Sequence, residues 1–70
     1  MIEIKIKDDY IKLGQLIKLA GLVGSGLEAK LEIVNGNVKL NGKTEIQRGK
    51  KVVPGDVVEY KGNSIKVINI

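Results

Sequence analysis

The hydrophobic period of this chain changes twice, from two to the helical spacing and back to two, so the fold must contain both strands and helices. Ile2, Ile4 and Ile6 alternate with Glu3, Lys5 and Lys7, as in a strand with one buried face. Asp8-Asp9 ends that run. From Lys12 the apolar positions become Leu13, Leu16, Ile17 and Ala20, the i, i+3, i+4, i+7 stripe of an amphipathic helix, with Lys12, Gln15 and Lys18 displaced to another side. Gly21 supplies a stop. Ser25 precedes Glu28 by three residues, the spacing of a capping box, and predicts a second helix beginning near Ser25. Leu27, Leu31 and Val34 are its expected buried stripe, Lys30 falls off that stripe, and Asn35-Gly36 tolerates the left-handed conformation at its end.

Beyond Gly36 the pattern is strand and turn. Val38 and Leu40 alternate with Asn37 and Lys39, and Asn41-Gly42 follows. That dipeptide is a strong hairpin signal, because both central residues of a type I′ turn need positive φ. Val52-Val53 runs into Pro54-Gly55, which suits a type II turn, and Val57-Val58 leads out again. A last turn at Lys61-Gly62-Asn63 precedes a final strand. The resulting order is strand, helix, helix, then about four strands: an α+β chain forming one domain over residues 1–70, with no repeat and no linker.

The residue inventory narrows the chemistry. Seventy residues build a small core and no deep cleft between lobes. There is no Cys and no His, which removes disulfides, thiolate ligands, a Cys nucleophile and the usual imidazole base. No apolar run approaches the roughly 20 residues that span a bilayer, and the alternating N-terminus lacks a signal-peptide core. The expectation is a soluble, cytoplasmic, monomeric protein without enzymatic activity, cofactor, metal, membrane or small-molecule substrate. The "NGKT" stretch at 41–44 fails as a phosphate-binding loop, since Asn37 stands where the first Gly belongs and a hairpin replaces the strand-loop-helix. The glycines of "GLVGSG" at 21–26 have the wrong spacing for a dinucleotide fingerprint. Helix capping accounts for Ser25 better than a nucleophile does. Asp8-Asp9 and Glu28/Glu32 read as cap and solvated face rather than a metal site.

Charge is distributed unevenly. Residues 10–51 carry eight Lys/Arg against three acids, a net of +5, whereas residues 1–9 and 52–70 together carry −1. Lys12 and Lys18 on the first helix, Lys30 on the second, Lys39 and Lys43 flanking the Asn-Gly turn, and Arg48, Lys50 and Lys51 come from four separate segments. A compact fold that brings them to one side has the electrostatic footprint of a nucleic-acid binder.

These residues resemble a known family. Leu19, Gly21 and Leu22 at the end of the first helix, Ser25 opening the second, Ala29-Lys30 within it, Gly36 with Val38, the Asn41-Gly42 tip and the Pro54-Gly55-Asp56-Val57 turn resemble the RNA-binding domain named after ribosomal small-subunit protein S-four, the αL motif. The resemblance is strongest over residues 10–60. It extends to the stand-alone YbcJ/YaaA-type branch in "LGQLIKLAG" (Leu13 to Gly21), "SGLEAK" (Ser25 to Lys30) and "RGKK" (Arg48 to Lys51). It implies two short helices packed on a small, mostly antiparallel sheet, here with an extra N-terminal strand. It also implies RNA as the partner, with structured ribosomal RNA or tRNA, a ribosomal particle, and a role in ribosome assembly or translation as the expectation. Many members carry Arg-Leu-Asp and Ser-Arg where this chain has Ile11-Lys12-Leu13-Gly14 and Ser25-Gly26, so two habitual phosphate-binding arginines are absent. The Arg48 to Lys51 cluster is the candidate to stand in for them.

Tyr10 and Tyr60 are the only aromatics, too few for the stacking ladder of single-strand binders. The expected mechanism is recognition of phosphates and shape, with Lys12, Lys18, Lys30, Lys39, Lys43, Arg48, Lys50 and Lys51 holding phosphates. Gln15, Ser25 and Asn41 add hydrogen bonds that fix register. A ubiquitin-like sulfur carrier is a poor alternative, since the chain ends Val67-Ile68-Asn69-Ile70 and not Gly-Gly. A module that docks on a ribosomal particle through protein contacts alone stays open.

Overall fold

Alternation over the first residues produces β1 (Ile2–Ile6), and the chain then runs through β2 (Ile11–Lys12), α1 (Leu13–Leu19), α2 (Gly26–Val34), β3 (Val38–Leu40), β4 (Lys43–Thr44), β5 (Lys51–Val52), β6 (Val57–Tyr60) and β7 (Asn63–Asn69). The computed structural model describes all 70 residues. Five strands form one sheet in the order β1-β7-β6-β3-β4, while β2 and β5 pair separately. All pairings are antiparallel except β1 with β7, which run parallel with Ile2 opposite Ile65 and Ile6 opposite Asn69. The architecture is the αL motif expected from the sequence, with the extra N-terminal strand added at one edge.

One face of the sheet and both helices share a single core. Leu13, Leu16 and Ile17 of α1, Ala29 and Ile33 of α2, and Ile6, Val38, Val58, Tyr60, Ile65 and Val67 of the sheet are buried together with Val23 and Val52. No charged or amide side chain is buried. No helix is long and apolar enough to cross a membrane.

Local chemistry sets the element ends. Both helices close with Schellman motifs: Gly21 N–H donates to Lys18 and Leu22 N–H to Ile17, and Gly36 N–H donates to Ile33 and Asn37 N–H to Glu32. Each motif places a glycine at positive φ just past the helix. At the start of α2, Glu28 N–H donates to Ser25 Oγ at 3.1 Å, and the Glu28 carboxylate accepts from Gly24 N–H at 2.7 Å. This is a capping box displaced by one residue on its return arm. Asn41 and Gly42 both take positive φ between Leu40 and its cross-strand partner Lys43, the geometry of a type I′ hairpin.

The structure departs from the sequence reading in α2. Leu27, Leu31 and Val34, expected to be buried, are 66%, 52% and 54% exposed, whereas Ala29 and Ile33 are 1% and 0% exposed. Lys30 shares the outward sector with the leucines instead of lying opposite them. The helix turns this way for two reasons. Small Ala29 lets α2 close on the core, and Glu32, beside Ile33, is drawn inward by Tyr60, Asn37 and Lys61. A second departure is the β2–β5 ladder. Residues 11–12 start as strand and only then turn into helix, pairing Ile11 with Val52 and Lys12 with Lys51.

Candidate nucleic-acid interface

The β2–β5 pair and the turn before β5 carry four of the eight predicted cations, Lys12, Arg48, Lys50 and Lys51. Leu13 N–H donates to the Lys50 carbonyl at 2.9 Å and Gly14 N–H to the Arg48 carbonyl at 3.0 Å, so the start of α1 is bonded to the Gln47–Lys50 turn. The turn itself is closed by Lys50 N–H donating to the Gln47 carbonyl at 3.1 Å. This holds Arg48 beside α1 and, across it, the first residue of α2. The result is an open groove of ≈ 360 Å³ lined by Lys12, Gly14, Gln15, Lys18, Gly26, Arg48 and Gly49. Three cations line it, with no carboxylate and no apolar side chain.

Two further depressions flank this groove, one of them sharing Lys12 and Gln15 with it. Lys43, Lys50, Lys51 and Asn41 line one between the hairpin tip and β5, together with Glu45 and Asp56. Asp8, Asp9 and Tyr10 line the other with Lys12 and Gln15. Both contain acids, so the first groove carries the strongest uncompensated positive charge.

Two observations mark this charge as unneutralised within the protein. The one ion pair within 4 Å in the molecule joins Lys61 to Glu32 and involves no groove residue. Lys12 and Lys51 face each other directly across the β2–β5 ladder, where like charges repel. Lys51 finds partial relief over the Tyr10 ring, its Nζ 4.8 Å from the centroid. A polyanion laid across the pair would replace repulsion by attraction.

The other predicted residues fall elsewhere. Lys30 sits on the outward side of α2, off the groove. Lys39 is opposite Glu59 in the β3–β6 ladder, which offsets its charge. Ser25 adjoins the groove through Gly26, but its oxygen already caps α2. Asn41 is held in the fold: its Nδ2 donates to Asp56 Oδ1 at 3.0 Å and its Oδ1 accepts from Val57 N–H at 2.9 Å. Asp56 in turn accepts from Val53 N–H at 2.9 Å, closing the Pro54-Gly55 turn. The sequence reading did not single out Tyr10, Gly14, Gly26 or Gly49 as interface residues. None of the four carried a signal in the sequence, because their place in the groove depends on the fold.

A small α+β domain whose helix-turn junction presents an acid-free, cationic groove defines a class of compact polyanion-facing modules. The chain belongs to the S4 domain family, whose model matches residues 4–68. It is 37% identical over 62 residues to YbcJ of Escherichia coli (strain K12), named as a candidate RNA-binding protein, with 89% of each chain covered. It is 40% identical over 67 residues to RlbA of Bacillus subtilis (strain 168), whose name proposes ribosome maturation, with 94% of each covered. The solution structure of E. coli YbcJ, described as revealing an αL motif involved in RNA binding, superposes with a TM-score of 0.75 at 35% identity, covering 97% of this chain and 87% of that one.

Proposed function

We propose that this protein is a non-catalytic RNA-binding module that grips the sugar-phosphate backbone of folded RNA in the groove between α1, the Gln47–Lys50 turn and the start of α2. Ribosomal RNA or tRNA is the target class, ribosome assembly or translation the process, and the cytoplasm its location. The observation that carries this reading is the convergence of Lys12, Lys18 and Arg48 on one groove without an acid. Lys50 and Lys51 extend the positive surface along the same turn and strand. The names of the E. coli and B. subtilis relatives support it. Groove cations supply phosphate contacts that fix position and orientation, and Gln15 adds a hydrogen-bonding amide to the same wall.

The test compares two charge reversals in a titration against a structured ribosomal RNA fragment. Lys18→Glu with Arg48→Glu should weaken binding on the order of tenfold or more, because two phosphate contacts become repulsive. Lys30→Glu with Lys39→Glu makes the same change in net charge off the groove and should cost far less. Equal losses in the two variants would mean that only net charge matters and would remove the groove from the mechanism.

One observation favours a second reading. The outward stripe of Leu27, Leu31 and Val34 on α2 is apolar and uncovered, and suits docking on a protein of a ribosomal particle. Binding to such a particle that persists after ribonuclease treatment would support that role.

A further inference from the structure

The structure gives a backbone reason for five of the nine glycines. Gly21, Gly36, Gly42, Gly55 and Gly62 take positive φ, where an L side chain is strained. The other four do not, and at two of them an added Cβ would make only ordinary van der Waals contact: 3.5 Å from the Arg48 carbonyl oxygen at Gly14 and 3.4 Å from Glu28 Oε1 at Gly24. Gly26 and Gly49 are the most open of the four. Both lie outside the positive-φ set, and an added Cβ at either would meet nothing within 4 Å.

A glycine without such a reason is costly, because it gives the unfolded chain freedom that folding must remove. Gly26 opens α2, where alanine is a better helix former. Gly49 is a central residue of the Gln47–Lys50 turn, whose closing bond does not depend on positive φ. Both line the same groove, beside Lys12, Lys18 and Arg48. Three of the four glycines that positive φ does not explain, Gly14, Gly26 and Gly49, therefore line this acid-free cationic groove, and Gly26 and Gly49 are the two with open space where a Cβ would stand.

We propose that Gly26 and Gly49 are ligand-approach positions, bare stretches of main chain against which the ribose-phosphate backbone of RNA packs while the groove cations hold its phosphates. The inference rests on the RNA-binding reading above and adds the main-chain positions against which that backbone packs. The groove offers no aromatic or apolar side chain on which a base could stack, and its cations suit a charged backbone. Charge-assisted hydrogen bonds to phosphate require a close approach, about 2.7–2.9 Å between heavy atoms. A methyl group on the groove wall would hold the backbone away from that distance. The bare chain also contributes a donor, since Gly49 N–H meets no acceptor within the protein.

The experiment uses Gly26→Ala, Gly49→Ala, their combination and Gly49→Val, each measured by thermal unfolding and by titration with the structured RNA fragment. The alanine variants should melt at or above the wild-type temperature. RNA affinity should fall with added volume, by tenfold or more in the double alanine variant and further in Gly49→Val than in Gly49→Ala, although no charge has changed. Wild-type affinity in the double alanine variant, alongside loss of binding in the Lys18→Glu, Arg48→Glu variant, would overturn the glycine assignment and leave the RNA reading standing. Failure of the wild-type protein to bind RNA at all would remove both. A marked fall in melting temperature for the alanine variants would show that the fold itself requires these glycines, and would also overturn the inference.

Discussion

Glu32 shows how a single side chain can tie distant segments together. Its carboxylate accepts from the Tyr60 hydroxyl and from Asn37 Nδ2 at 2.8 Å, and Lys61 Nζ lies 3.2 Å away. These contacts, the Tyr60 hydrogen bond foremost, lower its pKa from 4.5 to about 2. The same contact raises Tyr60, since ionising the phenol beside a carboxylate is unfavourable. A carboxyl depressed in the folded state stabilises the fold above its unfolded pKa, and that stabilisation disappears as pH falls through the folded value. Chemical unfolding should therefore show wild-type stability falling between pH 4.5 and about 2, with a shallower fall in Glu32→Gln; identical pH profiles would contradict the linkage. Asn41 poses a different question, because the sequence suggested an RNA contact and both ends of its amide are used within the fold. Asn41→Ala removes two hydrogen bonds and places alanine at a φ of 51°. Unfolding in urea should register a loss of roughly 1–3 kcal/mol.

At the scale of elements, the sequence was most informative where chemistry is local. Ser25 with Glu28, Gly21 and Gly36 past the helices, and Asn41-Gly42 in the hairpin each act within a few residues, so their roles could be read from spacing alone. The facing of α2 was not legible. Its three large apolar residues, Leu27, Leu31 and Val34, outnumber the buried pair Ala29 and Ile33, and the phase rests on small Ala29 closing against the core together with a network reaching to Tyr60 and Lys61, far along the chain. The two cases separate in mutagenesis. Ile33→Ala should cost roughly 2–5 kcal/mol as a buried large-to-small change, whereas Leu31→Ala on the outward face should stay within about 0.5 kcal/mol. A comparable loss at both positions in denaturant melts would contradict the observed facing. The β2–β5 ladder was hidden for a similar reason: two residues on each side have no readable period, and their pairing is long-range. With it went the groove, whose walls come from α1, α2 and the turn before β5.

For the whole molecule, charge asymmetry in the sequence becomes polarity in space. Residues 1–9 and 52–70, net −1, supply β1, β6 and β7, which lie together in the sheet order. Residues 10–51, net +5, supply both helices, β2–β5 and the connecting turns. The parallel pairing of β1 with β7 brings the opening strand onto the closing one and leaves the helix-turn side free to carry the groove. The concentration of cations could be read from sequence; which of them converge could not, and Lys30 and Lys39 went to other surfaces. The most direct test of the central claim is the salt dependence of binding to structured RNA. If Lys12, Lys18, Arg48, Lys50 and Lys51 engage about five phosphates, log affinity should fall against log salt with a slope of roughly −3.5 to −4.5. Replacing Lys12, Lys18 and Arg48 by Gln should bring the slope to roughly −1.4 to −1.8. A wild-type slope near zero, or one unaltered by the three replacements, would contradict the account.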